Sequence, residues 1–512
     1  MDSPKIPVTE ETHSPAAYVP VPPLQRHSSL AINLVWRAVA NWSSQLVSWG
    51  SLFVVVRLLN PSDFGIVGMS MILYSYLRFL GGFGITPTVI RHRDFSEETL
   101  AQLNTMGAIF GAGSFLLACL CAWPAARFFK SPHMAPVAIV TCVALIPLGL
   151  RGVPEGLMNT DMRFKSLSVL DAVRDVLSAA ITIVLAWLGY HYWALVLGNL
   201  ASEITRCVVI LRMRPQRFAW PRIATVRGPL IFGGRWLIGG FAWSTYNTLD
   251  NVTAGRALGQ TALGLYGMAW TIANTPLEKV VSLVTTLIPA YLSRVQNDLA
   301  ALRRYVRTIT EAIALATFPT TIGMALVARQ AVPLVMGAKW KGMIGPLEVL
   351  CVYGSVRSIV ALLPKVLTAV GNPRFVMRAE LAGLFLMPVS FWIGSHWGIT
   401  GIAYGWVFAY PIIAIAEFWK TVRTIEMDVA DYIRSLRPAL DGCATMVAAV
   451  LLLKWLMPSN QSEWLRLVLE IACGATVYIV TLLLLHRERT RHYIKIASRI
   501  RTPRLESNPG TA

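Results

Sequence analysis

Six cations lie in apolar stretches with no acid three or four positions away: Arg37, Arg78, Arg235, Lys279, Arg357 and Lys365. Asp250 and Glu278 are read as the carboxylates in the same condition. Other charges stand at helical spacing from an opposite one and can neutralise each other on one face: Asp171 with Arg174, Glu203 with Arg206, Arg307 with Glu311, and Glu417 with Lys420. What remains is net cationic. Arginine grips a phosphate through parallel N–H donors, so this set suits an anionic, phosphate-bearing ligand, whereas a path for cations should expose carboxylates. Asp250 and Glu278 suit a proton or sodium site, because burial and a neighbouring cation pull a carboxylate's titration in opposite directions.

Spanning helices must position these groups. The 512 residues are 55% hydrophobic and 14% charged, with mean hydropathy +0.54, a balance that cannot clothe a soluble globule. A bilayer core takes about 20 residues of helix. About fourteen apolar runs of that size begin near 33, 64, 101, 134, 168, 191, 229, 262, 308, 345, 378, 399, 438 and 464. They are continuously apolar rather than alternating, which predicts an all-α polytopic membrane protein and not a barrel. Residues 1–30, with Pro15, Pro20, Pro22 and Pro23, lack an apolar core and read as a disordered cytoplasmic tail.

A net charge of +19 does not point to nucleic acid here, because the cations gather in alternate short loops, as membrane orientation requires. The basic loops include Arg212 to Arg227, Lys420 to Arg437 and the tail from Arg487. Placing them inside puts both termini in the cytoplasm. The remaining loops are short, which leaves no outer domain for an enzyme that polymerises or ligates sugars. Arg294 to Arg307 reads as a basic amphipathic helix on the inner leaflet. The seven cysteines form no metal-ligand or CxxC spacing and read as packing residues. Neither a GxxxxGK[ST] loop nor an HExxH helix occurs, so no cofactor or metal is expected.

Arg57, Leu59, Gly65, Gly68 and Met69 recur at a constant offset as Arg256, Leu258, Gly264, Gly267 and Met268. Six spans separate the copies, which makes this a parallel repeat, the architecture of carriers whose halves rock about a midplane site. Arg57 and Arg256 also read as residues snorkelling at a helix end beside a glycine turn.

The segment from Arg57 to Gly65 resembles the signature after the first helix of polysaccharide transporters in the multidrug, oligosaccharidyl-lipid and polysaccharide exporter superfamily. Further similarity runs through Met162–Lys165, Trp193–Val196, Asp250–Gly259, Leu263–Tyr266, Pro289–Arg294 and Gly337–Trp340. The resemblance implies two six-helix lobes, 31–227 and 228–424, then two further helices in 425–486 and a basic cytoplasmic tail in 487–512. It implies a non-enzymatic flippase of the bacterial inner membrane that moves undecaprenyl-pyrophosphate-linked oligosaccharide outward for lipopolysaccharide or exopolysaccharide assembly. A polysaccharide polymerase and a chain-length regulator join membrane lipids as candidate partners. Arg37, Arg78 and Lys279 look like basic cavity positions of related peptidoglycan-precursor flippases. The rival expectations are an ion-coupled multidrug antiporter and a membrane ligase or polymerase.

Overall fold

The computed structural model describes residues 49–92, 94–285, 298–458 and 461–487; the side chains at 242, 243, 276, 279 and 282–285 lie outside the described set. The described residues are helical, and they run α1 (Trp49–Leu58), α2 (Pro61–Gly82), α3 (Ile85–Arg91), α4 (Glu97–Phe128), α5 (Met134–Cys142), α6 (Leu145–Leu150), α7 (Gly152–Thr160), α8 (Phe164–Trp187) and α9 (Tyr192–Met213). They continue as α10 (Ile223–Thr253), α11 (Gln260–Thr285), α12 (Leu299–Ala331), α13 (Ile344–Val360), α14 (Leu363–Ala369), α15 (Pro373–Ser395), α16 (Gly398–Thr424), α17 (Val429–Leu456) and α18 (Glu463–Leu485).

Helix starts follow from capping chemistry. Ser96 Oγ, Asp298 Oδ1 and Asp428 Oδ1 accept backbone N–H groups at the first turns of α4, α12 and α17. Pro61 opens α2, where a missing N–H costs nothing, and Pro364 does the same for α14. Pro364 thereby splits one apolar run into α13 and α14.

Nine of the described helical runs are long and apolar enough to cross a bilayer, and ten if the pair Met134–Leu150 and Gly152–Thr160, bent by 49°, is one span. α8 falls short because it carries Lys165, Asp171, Arg174 and Asp175. The outward faces are apolar: Leu120, Trp123, Trp187, Phe385, Phe408, Trp455 and Leu484 are all more than 60% exposed. Only lipid tolerates such a surface without aggregation.

Where helices cross closely, glycine permits it. Gly107 and Gly149 bring the backbones of α4 and α6 together, and Gly394 and Gly401 do so for α15 and α16. α17 and α18 pack on each other and on α12. One expectation is corrected: Leu299 to Arg307 is the first part of the continuous 33-residue helix α12, not a separate surface helix. Arg303 holds that end by donating to the Ile425 carbonyl beyond α16, at 2.8 Å.

Candidate functional site

The two copies of the repeated motif meet. α2 crosses α11 so closely that Gly65 faces the Gln260 carbonyl and Gly264 faces the Pro61 carbonyl. Around this crossing each half reaches across to the other. Arg57 donates through Nε to the Val335 carbonyl at 2.8 Å and through Nη2 to the Leu334 carbonyl. Lys339 Nζ and Trp340 Nε1 return the contact to the Arg57 and Val56 carbonyls, at 2.9 and 3.0 Å. In the opposite sense Arg256 lies 5.4 Å from the centre of the Phe128 ring, and Ser131 Oγ donates to Gln260 Oε1 at 3.2 Å. The snorkelling arginines of the sequence reading are therefore a reciprocal clasp.

Of the expected site cations whose side chains are described, Arg357 is the most deeply set. Its Nη1 donates to Asn274 Oδ1 at 2.9 Å, and its guanidinium stands 5.8 Å from the Trp270 ring. It lines a cavity of about 170 Å³ together with Glu380, Glu417, Tyr246, Tyr353 and Tyr410. α10, α13, α15 and α16 supply these walls. Behind them a stack of aromatic rings fixes the geometry: Trp406 lies 5.0 Å from Tyr353, 5.2 Å from Trp270 and 6.0 Å from Tyr246, centre to centre.

Asp250 sits just behind that stack and is fully buried. Its Oδ2 accepts Tyr266 Oη–H at 2.9 Å and Trp406 Nε1–H at 3.2 Å; its Oδ1 accepts the backbone N–H and the side-chain amide of Asn251, at 2.7 and 3.0 Å. Four donors thus stabilise one carboxylate, which ties α10 to α11 and α16.

The other expected site residues scatter. Arg78 is exposed on α2 and lies over the Phe79 ring, Arg235 is exposed on α10, Lys365 is exposed on α14, and Glu278 is exposed on α11. Arg37 and the Lys279 side chain lie outside the described residues.

Among the described residues, pairs between helices join those within one helix. Arg174 bridges Asp175 at 2.8 Å and Glu203 at 3.2 Å; Arg206 bridges Glu155 and Asp171, each at 3.0 Å. Arg151, at the bend between α6 and α7, completes the network with Glu203 at 2.7 Å and Glu155 at 3.3 Å. Arg307 reaches Asp431 on α17 at 3.6 Å. Lys420 turns to the Phe375 ring, leaving Glu417 to the cavity.

Two features escaped the sequence reading. Glu380 has no cation three or four positions away and belonged with the unpaired carboxylates. The Arg151–Glu155 spacing was legible, but its burial was not.

Fold and site together define an all-α polytopic membrane protein with an ionic cavity set among aromatic rings. The chain belongs to the polysaccharide biosynthesis protein family, whose pattern matches residues 54–345. It is 24% identical to the lipopolysaccharide biosynthesis protein WzxC of Escherichia coli, over 76% of this chain and 80% of that one. With the succinoglycan biosynthesis transport protein ExoT of Rhizobium meliloti it shares 22% identity, over 92% and 96%. Its fold is similar to the solved structure of the lipid II flippase MurJ in an inward closed conformation, with a TM-score of 0.70 at 13% identity, covering 89% of this chain and all of that one.

Proposed function

We propose that this protein is a flippase that carries undecaprenyl-pyrophosphate-linked oligosaccharide repeat units across the bacterial inner membrane for surface or exopolysaccharide assembly. The observation that carries this reading is the family match, which spans more than half of the chain. Relatives named for lipopolysaccharide biosynthesis and succinoglycan transport agree with it.

In this reading the lobes 31–227 and 228–424 rock against each other, with 425–486 as an added helix pair. The loop charges support cytoplasmic termini. That orientation makes the Arg57 and Arg256 clasp an outer gate, which has to break before cargo leaves. Arg357 is the foremost contact for the pyrophosphate, because a guanidinium in low dielectric offers charge-assisted donors; Arg78, Arg235 and Lys365, exposed on α2, α10 and α14, are further candidate contacts, and Arg37 and Lys279 stay candidates from the sequence. Asp250 serves as a fixed counter-charge behind the cavity, and Glu278, exposed on α11, as a carboxylate within electrostatic reach of Arg357. A polymerase and a chain-length regulator would act on the cargo after release. The transport step itself needs no bond chemistry from the protein.

The test is translocation of a fluorescent undecaprenyl-pyrophosphate oligosaccharide in proteoliposomes, read by quenching from outside. Movement dependent on the protein is expected. Polymer formation without movement would replace this reading with an enzyme.

A further inference from the structure

The segment that joins the two halves, residues 214–222 between α9 and α10, is pinned along its length to α4. The Ala219 amide donates to the Thr105 hydroxyl at 3.1 Å and to the Ala101 carbonyl at 3.3 Å. Asn104 Nδ2 donates to the Arg217 carbonyl at 3.3 Å, and the Arg222 amide donates to Gln102 Oε1 at 3.2 Å. Gln102 and Asn104 are each 1% exposed, so two buried polar side chains of α4 are committed to the backbone of this connection. Just beyond it, Val226 seats the first turn of α10 in the apolar cluster that holds Val89 and Leu103.

What the pinned segment leaves outward is of two kinds. Trp220 is 81% exposed, Ile223 79% and Phe218 59%. Among them stand Arg212, Arg214, Arg217, Arg222 and Arg227, with no acid anywhere from 212 to 227. Arg214 reaches Asp161 at 3.6 Å and Arg222 reaches Glu98 at 3.3 Å. Arg212, Arg217 and Arg227 are exposed and stand in no ion pair among the described residues. α9 is a spanning helix and ends at Met213, which sets the segment at the level of the lipid head groups. At that level an indole lies half in hydrocarbon and an arginine reaches phosphate, so the aromatic and cationic side chains suit one surface together. A free aqueous loop would give the three apolar side chains nothing to cover them.

We propose that this connection binds anionic phospholipid of the surrounding bilayer, with Arg212, Arg217 and Arg227 on the phosphates and Trp220 and Ile223 inserted beside them. The charges supply attraction that grows with each arginine near the surface, and the apolar side chains supply depth. The hydrogen bonds to α4 hold the presenting backbone in place beforehand, so little ordering is left for the binding step. Because those bonds run to α4, the lipids moor the first half of the chain, and α10, which opens the second half, leaves from a fixed point. The inference depends neither on the cargo nor on which leaflet the segment meets.

The experiment uses the full chain in phosphatidylcholine nanodiscs, whose two leaflets are alike. Phosphatidylglycerol brominated high on its acyl chain is titrated in, and brominated phosphatidylcholine serves as the comparison, since bromine quenches a nearby indole. Each protein is read against its own Trp220→Phe partner, and the difference isolates Trp220 from the other tryptophans. In the wild type, half-maximal quenching should come at a roughly tenfold lower mole fraction of the anionic lipid than of the neutral one, a preference that shrinks as salt rises. Arg212→Gln, Arg217→Gln and Arg227→Gln combined should abolish the preference. The same three positions changed to Lys should keep most of it, which controls for misfolding. Equal quenching by the two lipids in the wild type overturns the proposal and gives the patch to a protein partner. A preference that survives the combined Gln variant overturns it as well. Loss of the preference on adding inorganic pyrophosphate at constant ionic strength would assign the arginines to the head group of the cargo instead, and would also overturn it.

Discussion

Gly65 and Gly264, counterparts in the two copies of one motif, pack on each other's turns: a Cβ on the first would strike the Gln260 carbonyl, and on the second the Pro61 carbonyl. Because the obstacle is backbone on both sides, neither substitution can be relieved by a rotamer change.

Gly65→Ala and Gly264→Ala should therefore each lower thermal stability in detergent by about 3 kcal/mol, the upper end of the range typical of overpacking. Gly68→Ala, whose Cβ would meet only the Leu263 side chain at 3.5 Å, is the control and should be near neutral. Equal melting temperatures for all three would remove the close crossing.

The Arg151 network predicts an asymmetry between single and double substitutions. Arg151→Met leaves Glu203 and Glu155 short of a cation in a site where the Arg151 side chain is 8% exposed, and should cost about 3 kcal/mol. Adding Glu203→Gln should recover part of the loss. Thermal unfolding of the two variants side by side decides it, and an additive double variant would mean that the two groups do not interact.

For Asp250, the prediction is structural. Asn in its place has one acceptor oxygen for four donors, so Asp250→Asn should cost about 1–3 kcal/mol of stability. Tryptophan emission should also shift as Trp406 loses its acceptor. Loss of cation-dependent transport in a variant with unchanged stability would instead give Asp250 a direct part in coupling.

The same-helix pairing rule used on the sequence explains what was legible and what was not. Helix existence, the repeat and the apolar spans follow from local pattern, and α2, α4, α5, α9, α11, α13, α16 and α18 begin within four residues of the starts expected from it. The rule also singled out Arg357. It failed for Glu417 because spacing along one helix says nothing about rotation against a neighbour: Lys420 finds Phe375 on α15, and Glu417 turns inward. Arg174 and Arg206 exchange partners across α8 and α9 for the same reason. Glu380 lies six positions after Arg374, inside the first turns of α15, and is exposed, so a loop charge and a cavity-lining one look alike in sequence.

Arg357→Ala should leave the protein in the membrane and reduce polymer export, with head-group affinity down roughly ten- to a hundredfold, the worth of one charge-assisted contact. Arg357→Lys should recover only part, since the paired donors are gone. Lys420→Ala, from an aromatic contact at the helix end, should export normally. Surface polysaccharide in a deletion strain, normalised to membrane protein, is the measurement; normal export by Arg357→Ala would remove this residue from cargo binding.

The clasp has a further meaning for the history of the chain. Arg57 of the first copy grips the backbone at 334–335 of the second, and Arg256 of the second lies on Phe128 of the first. Such mutual reach is the geometry of an isologous dimer, in which a patch on one subunit meets the same patch on its twin. In two separate identical chains every substitution in the motif would alter both sides of the contact together. Fusion into one polypeptide removes that constraint, and the two arginines have used the freedom: one holds carbonyl oxygens, while the other rests on a ring with a buried Nη1 that no acceptor meets. The clasp thus has two unlike sides, and one can loosen before the other.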